Sequence, residues 1–325
     1  MTKLDLDSLV GRRLKLRDLH VFFTVVQTGS LAKAASHLRV SQPAVSQTIR
    51  DLELSLGVKL FDRNSRGVEP TTYGRTLLAR GQTAFDELKQ GIREIQFLSE
   101  PTSGVIRFGC PEAIAVILPP VIESFSKRYP AVVIEAQDEE FDRLATKLRD
   151  RQMDFVIQKL RGRPAKDDPF FDDLDAEILS EDELVIVAGA HSEWARRRKL
   201  DLSDLLDTSW ILTAPGSWNY RVVADVCEGR GLPMPKVVLQ TFSTHLRVNM
   251  VATGHYIATF PKSVADYYAE RFGLKILRVG LPHRPWPTAV LTLKGRTLSP
   301  VAHLFIDHVR AAFAPHGVRT VPRKP

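Results

Sequence analysis

Three short helical stripes follow one another between Leu16 and Leu60. Leu19, Phe22, Phe23 and Val26 recur at i, i+3, i+4 and i+7, which gathers them on one face of a helix. Thr28-Gly29-Ser30 interrupts that pattern, and Ser30 is placed to cap a second helix whose stripe is Leu31, Ala34, Ala35 and Leu38. The small Ala34 and Ala35 allow a neighbouring helix to approach closely. After Arg39-Val40, Ser41 is a suitable N-cap for a third helix, with Pro43 in its first turn where a missing N–H does no harm. Val45, Ile49, Leu52 and Leu56 form the buried stripe of this third helix. Pro43, Ser46, Gln47 and Arg50 lie opposite, and Gln42 sits at the exposed N-terminal end. Amide, hydroxyl and guanidinium groups without an acid are the groups that bond to base edges and phosphates. Two short helices joined by a tight turn, the second presenting such a face, predict a helix-turn-helix. The pattern alone also fits a plain three-helix subdomain with a polar outer side.

Residues 60–71 (LFDRNSRGVEPT) alternate as strand–turn–strand with Arg63 and Arg66 at the tip, a basic wing or an ordinary hairpin with solvated arginines. From Thr72 to Leu98 the pattern predicts one helix of roughly 40 Å. Leu78, Gly81, Phe85, Leu88, Ile92 and Ile95 are spaced 3-4-3-4-3, the rhythm of a coiled-coil seam. Gly74, Gly81 and Gly91 weaken such a helix on its own, so the expectation is a helix paired with a second copy at close backbone approach. Residues 99–104 (SEPTSG) read as a hinge.

Beyond Gly104, strands and helices alternate, which predicts parallel α/β sheets. The strands GVIRFG, AVVIEA and MDFVIQ form one set; ELVIVAG, SWILTA, KVVLQ and YIATF form a second, and a helix is expected over Ala113–Lys127. Two sets predict two lobes with a cleft between them. Ligands of such sheets lie at the carboxyl ends of strands against helix N-termini. That rule selects Cys110 and Glu112, Gln158, Ser217 and Trp218, Ser243 and Thr244, and Phe260 as candidate ligand contacts. Ser217 and Ser243 are equally readable as caps and nothing more. Glu112 near a helix N-terminus would take the place an anion prefers, so a neutral or cationic metabolite, such as a sugar, is expected over an aromatic carboxylate. Lys159, Arg221, His245 and Arg247 lie close enough in sequence to reverse that preference.

The run TGSLAKAASHLRVSQPAVSQTIRDLELSLGVKLFDRNSRGVEPTTYG resembles the DNA-binding segment of the LysR-type transcriptional regulators, and the fit extends from about Leu16 to Phe313. The resemblance implies a winged helix-turn-helix domain over 15–71 and a linker and dimerisation helix over 72–98. A hinge over 99–103, an α/β effector domain over 104–313 and a tail over 314–325 would follow. The effector domain would be two-lobed, like periplasmic solute-binding proteins, with one lobe over about 103–177 plus a returning segment from about 281 and the other over about 178–280. Gln42, Pro43, Ser46, Gln47 and Arg50 would enter the major groove, Arg63 and Arg66 would serve the wing, and Thr71 would lie near phosphates. Implied partners are double-stranded DNA, a small-molecule effector, a second copy in a homodimer or homotetramer, and the transcription machinery. Pro70 and Tyr73 stand where many members carry leucine and alanine, and Cys110 and Glu112 where many carry hydroxyl residues.

Charge agrees with a polyanionic partner. Of a net charge of +7, residues 1–98 hold an excess of five, 15 Lys and Arg against 10 Asp and Glu. At 325 residues the chain has room for about two domains. The apolar stretch Ala113–Ile122 is half of what a bilayer needs, and the mixed-charge start MTKLDLDSLVGRRLKL lacks a secretory apolar run, so a cytoplasmic protein without membrane contact is expected. Two cysteines, 117 positions apart, are not expected to pair. No P-loop, nucleophile elbow or zinc-protease motif is present, so no catalytic residue, cofactor or metal is expected. A transport-type binding protein would explain the two lobes and leave the helix-turn-helix unexplained.

Overall fold

The computed structural model describes residues 14–64, 67–100, 103–160, 168–283 and 285–313; of Arg63 and Asn64 only the backbone is described. Contacts divide the chain into two compact units that meet between Lys89 and Gln90, inside one long helix.

The first unit opens with α1 (Leu16–Thr28), α2 (Leu31–Leu38) and α3 (Gln42–Leu56). Ser30 accepts the Lys33 N–H and Ser41 the Ala44 N–H, both at 3.4 Å, so each predicted cap starts its helix. Phe22, Val25, Ala34, Ala35, Val45, Ile49 and Leu52 close the core. A hairpin of β1 (Phe61–Asn64) and β2 (Gly67–Pro70) follows, antiparallel with Phe61 opposite Pro70, and the Val68 N–H donates to the Gly29 carbonyl at 3.1 Å. The helix α4 (Thr72–Ser99) then begins.

The anticipated seam along α4 divides. A Cβ on Gly81 would fall 2.7 Å from the Phe23 ring, and Phe85 meets Phe23 edge-on at 5.3 Å. Leu78 joins the same cluster, and a Cβ on Gly74 would strike the Leu60 carbonyl. The glycines at 74 and 81 therefore serve close approach within this chain's own unit, where pairing with a second copy was expected. Leu88, Ile92 and Ile95 remain 49%, 56% and 65% exposed.

The second unit holds two five-stranded sheets. The first, ordered β4-β3-β5-β12-β6, is built from β3 (Ser103–Cys110), β4 (Ala131–Asp138), β5 (Phe155–Lys159), β6 (Leu174–Asp182) and β12 (Trp286–Leu293). The second, ordered β11-β7-β10-β8-β9, comprises β7 (Leu184–Gly189), β8 (Trp210–Leu212), β9 (Val237–Gln240), β10 (Ile257–Pro261) and β11 (Leu274–Ile276). Strands β3, β4 and β5 are parallel, as are β8, β9 and β10, but β12 runs antiparallel to β5 and β6, and β7 to β10 and β11. The sheets are mixed because the chain crosses twice between lobes, and each crossing strand enters its sheet from the opposite end. β6 stays in the first sheet to Asp182, which moves the outward crossing to Glu183, and Leu277, Val279 and Leu281 still pack in the second lobe before β12 returns. The helix expected over 113–127 is two pieces, α5 (Glu112–Ala115) and α6 (Pro119–Arg128), because Pro119 and Pro120 restart it.

Helices α7 (Phe141–Arg149) and α12 (Pro300–Phe313) cover the first sheet; α9 (Trp218–Gly229), α10 (Thr244–Ala252) and α11 (Lys262–Phe272) cover the second, and α8 (Glu193–Arg196) is a single turn. The end of α4 belongs to this unit. Phe97 packs on the first-lobe core, and Arg93 pairs at 3.5 Å with Asp154, whose carboxylate also accepts the Arg107 N–H at 2.8 Å and faces Arg296 at 3.7 Å. No helix among the described residues is long and apolar enough to cross a membrane.

Candidate DNA-reading face and effector cleft

On α3, the same amphipathic split that buries Val45, Ile49 and Leu52 leaves Gln42, Pro43, Gln47 and Arg50 exposed and Ser46 half-buried. The sequence reading found no acid on this side, but Asp51 lies one turn beyond Gln47 and accepts its amide at 2.8 Å, which presets the Gln47 side chain. Arg50 Nε donates to the Ser46 carbonyl at 3.3 Å. Glu53, at the buried end of the helix, accepts the N–H groups of Leu60 and Phe61 and the Lys59 ammonium. Burial works against its charge, but these hydrogen bonds outweigh that cost and hold the carboxyl below its ordinary range. Helix α3 and the hairpin are thereby fixed to each other. The Thr71 hydroxyl donates to the Lys59 carbonyl at 2.7 Å and accepts the Gly74 N–H at 3.1 Å, so its proton is spent inside the fold and not held out to a phosphate. The wing tip, with Arg66 and the Arg63 side chain, lies outside the described residues.

Between the two lobes of the second unit lies a cleft of about 1030 Å³, at the upper limit of small-molecule sites. Five of the eight candidate contacts line it: Glu112, Gln158, Ser217, Trp218 and Ser243. Cys110, Thr244 and Phe260 do not; they are buried to 2%, 0% and 1% exposure beneath its floor. Each marks a strand end or helix start correctly, yet its side chain points into packing. Cys110 belongs to the first-lobe core, and burial, with the Asp138 charge nearby, pushes its thiol up to about 12, which makes it unreactive. Cys227 is buried in the other lobe's core. Phe260 supports the Arg247 guanidinium face-on at 4.7 Å, and Thr244 Oγ1 accepts from Arg247 Nη2 at 3.4 Å.

Ser217 and Ser243 do act as caps, accepting the N–H groups of Tyr220 and Leu246 at 3.4 and 3.2 Å, while lining the cleft. Glu112 lies at the start of α5, as expected, but its carboxylate reaches across to α10. Oε2 accepts the Thr244 N–H at 2.7 Å and Oε1 the His245 N–H at 3.0 Å.

Trp286, which the sequence did not single out, and Arg247, which it offered only as a cation that could offset Glu112, complete the cleft. Trp286 comes from the return strand and lies 4.9 Å from Trp218, ring to ring, tilted by 30°. No local motif announces that pairing. Arg247 is 2% exposed, its Nη1 donates to the Thr259 carbonyl at 3.0 Å, and burial pushes its guanidinium down to about 10, with the Glu112 charge opposing. Its i+4 relation to Ser243 was the available signal, since both then lie on one side of the helix start. At the hinge, Lys159 bonds Asp182 at 2.5 Å and stands 5.3 Å over the Trp218 ring. Burial disfavours the Asp182 carboxylate, yet Lys159 and Ser263 hold it below its ordinary range, so the ion pair is formed.

Comparison with known proteins identifies both parts. Residues 16–75 match the bacterial regulatory helix-turn-helix protein, lysR family, and residues 99–314 match the LysR substrate binding domain. The HTH-type transcriptional regulator GbpR of Azospirillum brasilense is 33% identical over 302 residues, 92% of this chain and 87% of that one. A full-length OxyR variant from Pseudomonas aeruginosa has the same fold, with a TM-score of 0.63 at 21% identity over 92% of this chain and 94% of that one. So does full-length CbnR, solved in complex with its target DNA, at a TM-score of 0.60 and 18% identity over 92% of this chain and 100% of that one. The two matched regions, in this order and with this cleft, make the chain a member of the LysR family, a transcriptional regulator and not an enzyme.

Proposed function

We propose that this regulator reads double-stranded operator DNA through Gln42, Pro43, Ser46, Gln47 and Arg50, with Arg63 and Arg66 at the wing, and that a neutral, polyhydroxylated effector in the inter-lobe cleft modulates it. The layout is a DNA-binding domain over 15–71, a dimerisation helix over 72–98, a hinge over 99–103 and an effector domain over 104–313. Two copies pair along Leu88, Ile92 and Ile95, whose exposure on one side of α4 supports a partner there, and effector domains pair the dimers into a tetramer. A regulator that meets DNA and the transcription machinery belongs in the cytoplasm.

The observation that carries the effector class is a set of polar atoms in the cleft lining. Gln158 Oε1, Trp218 Nε1 and Arg247 Nε are buried and have no hydrogen-bond partner among the described residues. One acceptor and two donors beside a pair of indole rings suit a ligand that carries hydroxyl groups on an apolar ring face. Among the described lining residues six acids, Glu112, Asp138, Glu139, Glu140, Asp142 and Asp168, stand against three bases, Lys159, Arg221 and Arg247, which disfavours an anionic ligand. An effector acts here through its differential affinity for two arrangements of the lobes.

Calorimetric titration of the full-length protein with a panel of neutral sugars and aromatic carboxylates tests the effector class. Saturable binding of a sugar, weakened by Trp218→Ala, is expected; saturable binding of a carboxylate with silence from every sugar overturns it. For the DNA face, Arg50→Ala is expected to weaken binding to all duplexes and to flatten the salt dependence. An unchanged salt slope overturns the assignment of Arg50.

A further inference from the structure

The start of α10 is occupied by a side chain from the other lobe. Its first three N–H groups point out of the helix and need acceptors. Ser243 serves Leu246 from within the second lobe, whereas Thr244 and His245 are both served by Glu112 from the first. Behind them the Arg247 guanidinium is 2% exposed, lines the same cleft and keeps Nε without a partner among the described residues. A helix N-terminus backed by a buried guanidinium is a place for a carboxylate. The protein fills it with its own.

We propose that Glu112 is a tethered occupant of the cleft's anion site, which latches the lobes together and screens free anions out of the cleft. The proposal rests on the effector reading above and deepens it by naming the residue that sets the charge class of the ligand. Both oxygens of Glu112 are engaged on the opposite lobe, so opening the cleft strips two N–H groups of their acceptor. A free anion would have to displace a carboxylate held at high effective concentration by its own backbone. A neutral ligand meets no such competitor, because its contacts at Gln158, Trp218 and Arg247 Nε lie beside the latch.

The test uses the full-length protein and sodium acetate against sodium chloride at matched ionic strength, read by thermal unfolding and calorimetry. Glu112→Ala is expected to bind acetate saturably, at least tenfold tighter than the unsubstituted protein, and to be stabilised by it as mass action requires. Acetate acting equally on both proteins, or on neither, overturns the proposal. Glu112→Gln retains the side-chain volume and provides a second readout should Glu112→Ala fail to fold. Amide hydrogen exchange in the Thr244–Leu246 segment is expected to quicken about tenfold in that variant, and exchange as slow as in the unsubstituted protein also overturns the latch. Absence of sugar binding in the panel would remove the effector reading and leave the acetate result standing, so the two fail separately.

Discussion

Glu53 and Glu112 perform the same chemistry at very different reach. Glu53 gives Oε1 to the N–H groups of Leu60 and Phe61, seven and eight residues along the chain. Glu112 gives its two oxygens to Thr244 and His245, 132 and 133 residues along. Glu53 is 7% exposed and is held wherever its own unit is folded, whereas Glu112 is half-buried and holds its partners only while two lobes are close. The first carboxylate is a staple and the second depends on conformation. The contrast extends to the two units: the candidate DNA-reading face is written on one helix, and the candidate effector cleft is assembled from segments that never adjoin in the chain.

The sharpest way to test that contrast is on α4, the element both units share. Leu88→Lys with Ile92→Lys is expected to abolish the dimer and weaken operator binding by about 10²–10⁴-fold, because two half-sites are then engaged independently. Sedimentation and fluorescence anisotropy would show it. If pairing lies elsewhere, the variant sediments like the parent protein. The first unit's own core should not notice, since Gly81 and Phe85 lie on the part of α4 that faces inward, against Phe23 of α1.

Asp154 is the counterpart of Glu53 in the second unit, a buried carboxylate that joins distant elements. It faces Arg93 from α4 and Arg296 from beyond β12, and its own side chain is 2% exposed. Asp154→Asn leaves buried guanidinium charge without its counter-ion and is expected to lower the stability of the second unit by ~3–5 kcal/mol in a urea titration. The unfolding of the first unit should stay where it is. If both midpoints hold still, the Asp154 cluster is not what anchors the end of α4.

Gln47→Ala gives a smaller and more selective effect. It should change preference at particular base pairs by ~1–3 kcal/mol and leave the salt dependence of binding intact. Asp51 orients Gln47, so Asp51→Ala should blur the same positions without erasing them. Uniform loss over all sequences in either variant would mean that this face meets backbone and not bases.

What could be read from the chain follows the same division. The caps at Ser30 and Ser41, the apolar stripes of α1 to α3 and the exposed face of α3 depend on neighbours within four residues, and periodicity reports such neighbours directly. The strand and helix order of the second unit was legible for the same reason. Strands β6, β11 and β12, which flank the crossings between lobes, were not, since such a crossing leaves no local periodic signal. Nor was the division of the α4 seam, because a 3-4 spacing shows which residues share a face without showing what covers it. Cys110, Thr244 and Phe260 show the limit in the cleft. Their positions at strand ends and helix starts were right, but the direction of each side chain is set by packing from elements far along the chain. Trp286 and the reach of Glu112 to α10 depend on contacts across 68 and 132 residues, beyond any window of pattern.

The smallest effect tests whether Glu53 is the staple its geometry implies. Its folded-state affinity for a proton lies below that of the unfolded chain, so the charged form is the one the fold favours. The stability it contributes is therefore complete above the ordinary glutamate value of about 4.3 and is lost as pH falls through the lowered folded value. Lys59 is 77% exposed and supplies little through water, so the weight falls on the Leu60 and Phe61 N–H groups. Protonation removes the charge from those two bonds and is expected to cost on the order of 1 kcal/mol. Glu53→Gln should reproduce that loss at neutral pH and flatten the acid limb of the first unit's melting temperature. Because Glu53 joins α3 to the strand that leads into the wing, the variant should also bind operator less tightly with the base preference of α3 unchanged. An acid limb of the same depth in Glu53→Gln would place the proton-sensitive group elsewhere, and the comparison with Glu112 would lose its local half.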